Sequence, residues 1–429
     1  MEGLALVGFV LGLFITLIIM KMPVAFSVGI GGVAYVIIND MTLGNIPAQL
    51  SGAIDSSILI AIPLYLIAGE LMNASGVTTR LIDATQLVVG RVRGGMAHTN
   101  IASSLVFAGM SGSALADSAG IGKIMIPAMK ERGYPAGFSA AVTAASATVG
   151  PVFPPSIPFI VYGSITGTSI GALFLAGVIP GVLLTLVLMG WTAVAVRRFT
   201  LREERVPLNF TTLIAVFRLG FFPALTPLLI LSGIFLGFMT ATEAGAIAVL
   251  YTVILGFFVY RSLSIKAFFE SVQRAMLTSA ATLILLGLAS IMGWMITLER
   301  VADRLVDFLG PVASNFVLVM AVTVLAFLVV GMFMDVVAAM LVFVPVFLPL
   351  VQNLGMSSLQ FGVVVTVVTL MGLLTPPVGV SLYVTADIAQ TSVRRVSVAV
   401  LPFLIPIGLL LGLVIAFPVL TEWLPAQRF

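Results

Sequence analysis

The chain contains no cysteine, one histidine and three tryptophans among 429 residues, and only 9% of its residues are charged. Without cysteine there is neither a disulfide framework nor a thiolate metal site. A single His98 cannot supply the clustered imidazoles of a zinc centre. A membrane-embedded enzyme or redox-pump subunit would need buried His, Cys or paired acids at catalytic spacing, and the acids here are scattered. Soluble domains carry roughly 25% charged residues, so so low a charge content excludes a soluble protein. The sequence has no Walker-type nucleotide loop, and its polar loops are too short to hold a nucleotide-binding domain. Energy for any work must come from an ion gradient or from another chain.

What fills the chain is apolar sequence: 60% of residues are hydrophobic and mean hydropathy is +1.22. Runs long enough to span a bilayer, about 20 residues each, lie near 4–20, 23–38, 56–74, 135–166, 171–196, 217–239, 241–260, 278–298, 358–390 and 397–420, giving ten crossings. The first run has its positive charge, Lys21, after it rather than before it, the reverse of a cleaved signal peptide. Two more apolar stretches, about 97–128 and 314–350, are interrupted by Gly109-Met110-Ser111-Gly112-Ser113 and by Gly331-Met332-Phe333-Met334-Asp335. If both fold back as re-entrant hairpins, one side of the membrane collects Lys21, Arg80, Arg91, Arg93, Lys130, Arg132, the Arg197–Arg205 loop, Arg261, Lys266, Arg274 and Arg394-Arg395. The other side keeps Glu2, Asp40, Asp55, Glu422 and the mixed segment Glu299 to Asp307. That is a positive-inside pattern with both termini outside the cytoplasm, and the net charge of +3 reads as topology rather than as a nucleic-acid surface. Amphipathic pieces at 79–92 and 298–309 precede the hairpins and are expected to lie along the interface.

The sequence also repeats itself. Gly109-Met110 recurs as Gly331-Met332, an offset of 222 (331 − 109), and the same offset carries Pro127 onto Pro349, Gly133 onto Gly355, Gly150 onto Gly372 and Pro154-Pro155 onto Pro376-Pro377. Five crossings separate the two hairpins, an odd number, so the copies are inverted. Each half reads as three helices, a hairpin, a broken helix and a closing helix, over about 1–198 and 214–429. Self-similarity concentrated at Gly and Pro inside apolar segments is the mark of an inverted-repeat secondary transporter, whose site forms where helices are interrupted. The expected fold is therefore an all-α integral membrane protein with two re-entrant helical hairpins and two broken helices.

A proline inside a helix donates no hydrogen bond and displaces the carbonyl four residues earlier. The Pro154-Pro155 pair is expected to free the carbonyls of Gly150 and Pro151, and Pro376-Pro377 those of Gly372 and Leu373. Unsatisfied backbone at membrane depth is tolerated only where it lines a cavity or binds something. Carbonyls and hydroxyls are hard oxygen ligands that suit Na⁺, and Ser103, Ser111 and Ser113 accompany the first break while Thr375 and Asp335 accompany the second. One Na⁺ is expected between each hairpin tip and its broken helix. Among the intramembrane acids, which default to functional readings, Asp335 is best placed to meet substrate or its ion. Asp117 serves equally as a helix cap, and Glu243 and Asp387 fall at helix ends near water. His98 reads as an interfacial polar residue. Apart from Lys123 in the returning arm of the first hairpin and Arg218 at the edge of the 217–239 run, no Lys or Arg lies inside an apolar segment, so an anionic cargo must be met by bound cations, by helix N-termini, by Lys123 or by a residue of a partner subunit.

The stretch from Gly109 to Asp117, followed by Pro154-Pro155-Ser156 and by Thr375-Pro376-Pro377-Val378-Gly379, resembles the large membrane subunit of tripartite ATP-independent periplasmic (TRAP) transporters, the DctM-like permeases, and the likeness spans essentially the whole chain. The resemblance implies an elevator mechanism in a bacterial inner membrane, with scaffold helices at 1–93 and 199–310 and mobile hairpins, broken helices and closing helices at 94–198 and 311–429. It implies two protein partners: a small four-helix membrane subunit, expected here as a separate chain, and a periplasmic binding protein that delivers the cargo. It implies cargo such as C4-dicarboxylates, other carboxylates or sialic acids, with Na⁺ as coupling ion. It places sodium ligands at Ser103, Ser111, Gly150, Val152 and Pro154 and at Gly331, Asp335, Thr375, Pro376 and Val378, with substrate near Ser113, Ser156 and Asp335. The alternative is a stand-alone divalent-anion/Na⁺ symporter of related elevator architecture.

Overall fold

Apolar backbone in a bilayer must satisfy its hydrogen bonds internally, which leaves helices as the way through. A computed structural model describes residues 3–20, 22–202, 209–310 and 314–428, and among these there is no strand. The first half runs through α1 (Gly3–Ile19), α2 (Val24–Ile38), α3 (Asn45–Ile54), α4 (Ala61–Ala74) and the short α5 (Val77–Val89). A hairpin follows, α6 (Gly95–Ser111) and α7 (Ala114–Glu131), then a broken helix, α8 (Ala136–Ser146) and α9 (Ile157–Thr166), and the closing α10 (Ile170–Ala195). The second half repeats this as α11 (Phe210–Phe235), α12 (Ala241–Ile254), α13 (Ile265–Leu298), α14 (Val301–Leu309), the hairpin α15 (Phe316–Phe333) and α16 (Val336–Asn353), the broken helix α17 (Ser358–Leu373) and α18 (Val380–Ala389), and α19 (Val393–Ala416). A single turn, α20 (Val419–Glu422), and a 3-10 turn at Pro425–Gln427 follow.

Shifted by 222, the limits of α7 fall on those of α16 residue for residue. Pro180 inside α10 falls on Pro402 inside α19. Both diproline bonds, Pro154-Pro155 and Pro376-Pro377, are cis. Side-chain caps set many of the helix starts: Ser113, Ser156, Ser169, Ser264, Asn315, Asp335 and Ser357 each accept a backbone N–H from the first turn. Thr240 and Glu243 form a reciprocal capping box at the start of α12, which accounts for an acid at that depth.

The packing is crossed between the halves. α9 lies against α16 and α18 against α7, so each broken helix sends its second half to the other half's hairpin. The closing helices α10 and α19 pack on each other and on this group. Around it, α4 packs on α12 and α13, α2 on α13, and α11 on α5 and α12. Eight helices among the described residues are long and apolar enough to cross a membrane, and large apolar side chains such as Phe217, Leu228, Leu250, Leu325 and Leu409 point outward.

Three elements differ from the sequence reading. The α3 helix is an extra element in what reads as a polar connection. α13 begins at Ile265 rather than near 278, because Lys266, Glu270 and Arg274 recur at helical spacing that a hydropathy window averages away. Arg274 therefore belongs to a spanning helix and not to a cytoplasmic loop. His98, expected at an interface, is 4% exposed within α6. Lys21, Arg205 and the boundary at 311 lie outside the described residues.

Candidate ion and substrate site between the hairpin turns

In the first half, α6 ends in a left-handed Gly112 with φ +59°, and the next residue, Ser113, caps α7 by accepting from Ala116 N–H at 3.5 Å. Gly112 sits directly on the break of the neighbouring helix: a Cβ there would lie 2.8 Å from the Pro155 carbonyl oxygen and 2.9 Å from the Ile157 nitrogen. The break runs from Gly150 to Ser156, after a 3-10 turn over Ala147–Val149. Asp117, fully buried, lays its carboxylate against Gly150 and fills the space a Cβ would need. A seam of polar side chains joins α6 to α8, with Asn100 Nδ2 donating to Thr143 Oγ1 at 2.7 Å and Ser104 Oγ to Ser146 Oγ at 3.0 Å. Ser103 beside them is equally buried, yet its hydroxyl has no hydrogen-bond partner among the described residues. Such an atom costs about 1–3 kcal/mol unless something else binds it.

In the second half the hairpin meets its broken helix through backbone. A Cβ on Gly331 would fall 2.5 Å from the Thr369 carbonyl oxygen, and one on Gly372 would fall 2.8 Å from the Gly331 Cα. Asp335 caps α16, accepting from Val337 N–H at 3.4 Å. Thr375 Oγ1 donates to the Met371 carbonyl at 2.7 Å, which leaves the hydroxyl's lone pairs for another group.

The sequence-predicted residues distribute as follows. Ser113 and Asp335 come together on one cavity of about 470 Å³, which Gly112 and Pro151 also line. Ser156 does not line it; its hydroxyl caps α9 and donates to the Pro151 carbonyl. That bond corrects the expectation of a free Pro151 carbonyl, and Gly372 differs likewise, since its carbonyl accepts from Thr375 N–H at 2.8 Å. The Val152 carbonyl lies against Gly177 of α10. Pro154 is buried, whereas Pro376 and Val378 are half-buried in the second break. Ser111 closes α6, and its side chain lies outside the described residues. Asp387 belongs to a separate surface pocket with Gln390 and Arg395.

Three helix N-termini converge on the cavity. Ser113 and Asp335, which are 222 positions apart, are the capping residues of α7 and α16, and the N-terminus of α9 at Ile157 and Pro158 joins them. Helix N-termini present N–H groups and roughly half a positive charge each, and here three of them converge in a lining that carries the carboxylates of Asp335 and Glu70 and no lysine or arginine. The opposite wall comes from Leu66 and Glu70 of α4 and Ala275, Thr278 and Thr282 of α13. Glu70 accepts from Arg274 Nε at 3.0 Å. Sequence reading missed this wall, since no single-segment signal pairs α4 with α13. No His/Asp/Glu cluster fit for a transition metal occurs among the described residues.

Comparison with known proteins agrees with this architecture. The family profile of the tripartite ATP-independent periplasmic transporter DctM component matches residues 11–420. The chain is 35% identical to the sialic acid TRAP transporter large permease protein SiaM of Vibrio cholerae, covering 98% of both chains. It is 39% identical to the sialic acid TRAP transporter permease protein SiaT of Haemophilus influenzae, over 97% of this chain and 68% of that one. The 2,3-diketo-L-gulonate TRAP transporter large permease protein YiaN of Escherichia coli is 32% identical over 95% and 96% of the two chains. Among solved structures, the YdaH transporter of Alcanivorax borkumensis superposes with a TM-score of 0.54 at 16% identity, covering 89% of this chain and 88% of that one, a likeness of fold.

Proposed function

Because the chain belongs to the DctM component family of tripartite ATP-independent periplasmic transporters, a family of multi-pass membrane permeases and not of enzymes, we propose that it carries out Na⁺-coupled uptake of an organic acid anion. The observation that carries this reading is the convergence of the α7, α9 and α16 N-termini on one cavity with no basic side chain in its lining. An anion is stabilised there by backbone dipoles, while Asp335 in the same lining requires a cation nearby to offset its charge. The unpartnered hydroxyl of Ser103, the buried carboxylate of Asp117 and the interrupted backbone at Gly150 fit a Na⁺ in the first half. The Thr375 hydroxyl and Asp335 fit a second, about one ion per repeat.

Relatives named for sialic acid, isethionate and 2,3-diketo-L-gulonate narrow the cargo to organic acids of that kind. The same kinship supports a small membrane subunit and a periplasmic binding protein as partners and residence in a bacterial inner membrane, while the distribution of basic residues along the sequence supports termini on the periplasmic side. Movement of the hairpin group against the surrounding helices is the alternating-access step, of the elevator kind. The test is reconstitution in liposomes with each combination of partners. Uptake driven by a Na⁺ gradient only when the small subunit and binding protein are both present supports the reading. Robust uptake by this chain alone would favour the stand-alone symporter.

A further inference from the structure

The two lysines of α7 have different fates. Lys130, in the last turn, donates to the Ala389 carbonyl of α18 at 2.9 Å. Lys123, seven residues deeper, is exposed and makes neither a hydrogen bond nor an ion pair among the described residues. It lies eight residues before Glu131, about 12 Å from the end of the helix at a rise of 1.5 Å per residue. A charge left unpaired at that depth belongs on a water-filled path rather than in lipid.

Lys123 shares a face of α7 with Ala116 and Gly120, seven and three residues earlier. Ala116 lines the substrate cavity, and a Cβ on Gly120 would stand 3.7 Å from Nδ2 of Asn73, an exposed side chain one turn beyond Glu70 on α4. The cavity is therefore continued along α7, opposite α4, toward the Lys130 end. Outward-facing helices carry residues such as Phe217, Leu250 and Leu409, not alanine, glycine and lysine. The repeat identifies the same face independently. Leu341 and Pro345 of α16, the equivalents of Ala119 and Lys123, line a cleft with Gly52 of α3 and Ala289 and Ser290 of α13. That cleft is without the charges, since Pro345 stands for Lys123 and Gly52 for Arg274. We infer that Lys123 is the counter-charge of the path between the cavity and the cytoplasm, where its ammonium group meets the acid group of an organic anion in transit. The helix N-termini hold the cargo in the cavity, and Lys123 draws it along the groove. The inference rests on the organic-anion reading and the orientation given above.

The absence of cysteine makes any introduced thiol unique in this chain. Ala116→Cys in the full chain with its small subunit, in inside-out membrane vesicles, is treated with sulfonatoethyl methanethiosulfonate, an organic anion, and with its trimethylammonioethyl counterpart, a cation. Both are expected to react from the cytoplasmic face. Lys123→Gln is expected to lower the ratio of anionic to cationic reaction rates about tenfold, Lys123→Arg to leave it unchanged, and added salt to shrink the difference. An unchanged ratio in Lys123→Gln overturns the inference. So does an Ala116→Cys that reacts from neither face or from the outer face alone, because the groove would then not lead to the cytoplasm. Lys123→Cys is itself expected to react from the cytoplasmic face; failure to do so where Ala116→Cys reacts would take the lysine off the path. The readout uses neither cargo nor a Na⁺ gradient, so a chain with these ratios that takes up no organic acid would refute the assigned cargo and leave the anion path standing.

Discussion

Replacing Gly112 by Ala is the sharpest perturbation of the first half-site. The residue has φ +59°, and the left-handed region costs an L-residue with a Cβ roughly 1–2 kcal/mol. The new Cβ would also sit 2.8 Å from the Pro155 carbonyl oxygen and 2.9 Å from the Ile157 nitrogen. Both are backbone atoms of the break, so no rotamer change relieves them, and overpacking of this kind costs about 1–3 kcal/mol. The sum, about 2–5 kcal/mol, is a factor of at least about 30 in the equilibrium that holds the turn on the break. Gly167 supplies the control: it too has positive φ, at +70°, but nothing lies within 4 Å of its Cβ position. Thermal unfolding of the purified protein, with and without Na⁺, reads both effects. Gly112→Ala is expected to lower the midpoint clearly more than Gly167→Ala and to weaken the stabilisation by Na⁺. Indistinguishable behaviour of the two variants would refute the claim that the turn is seated on the break.

Ser103→Ala is expected to leave the Na⁺-free protein unchanged or slightly more stable, since it removes a buried hydroxyl without a partner, while abolishing part of the Na⁺-dependent stabilisation; loss of stability without Na⁺ would assign the hydroxyl a purely structural role. Asp335→Asn is expected to impair uptake more than Asp387→Asn, because Asp335 opens on the cavity and Asp387 on a separate surface pocket; the reverse ranking in transport assays would move the site. Arg274→Gln is expected to cost less than about 1 kcal/mol in unfolding, since the pair with Glu70 is half-exposed; a larger loss would mark the pair as buried in the native assembly.

The paired breaks were legible because proline and glycine act on the backbone locally. A Pro-Pro step interrupts a helix whatever surrounds it, so its recurrence 222 residues later identified the repeat and both hairpins. Ser113 and Asp335 were legible as site residues, although their role as repeat-equivalent helix caps emerges only from the turn geometry. The lower part of α13 was hidden because Lys266, Glu270 and Arg274 dilute a hydropathy average while keeping helical spacing. Glu70 and its partner Arg274 are 204 residues apart, and no local pattern announces a contact made only when α4 and α13 pack. The destinations of the freed carbonyls differ from the expectation for a local reason: the Ser156 hydroxyl and the Thr375 N–H reach back within the break itself, a path the proline rule leaves out.

Equilibrium binding of radioactive sodium to the purified complex tests most directly whether each interrupted helix forms an ion site with its hairpin. Two ions per chain are expected, falling to one in Ser103→Ala, to one in Thr375→Ala and to none in the double variant. Binding of two ions that survives both substitutions, in protein of unchanged fold, would contradict the account.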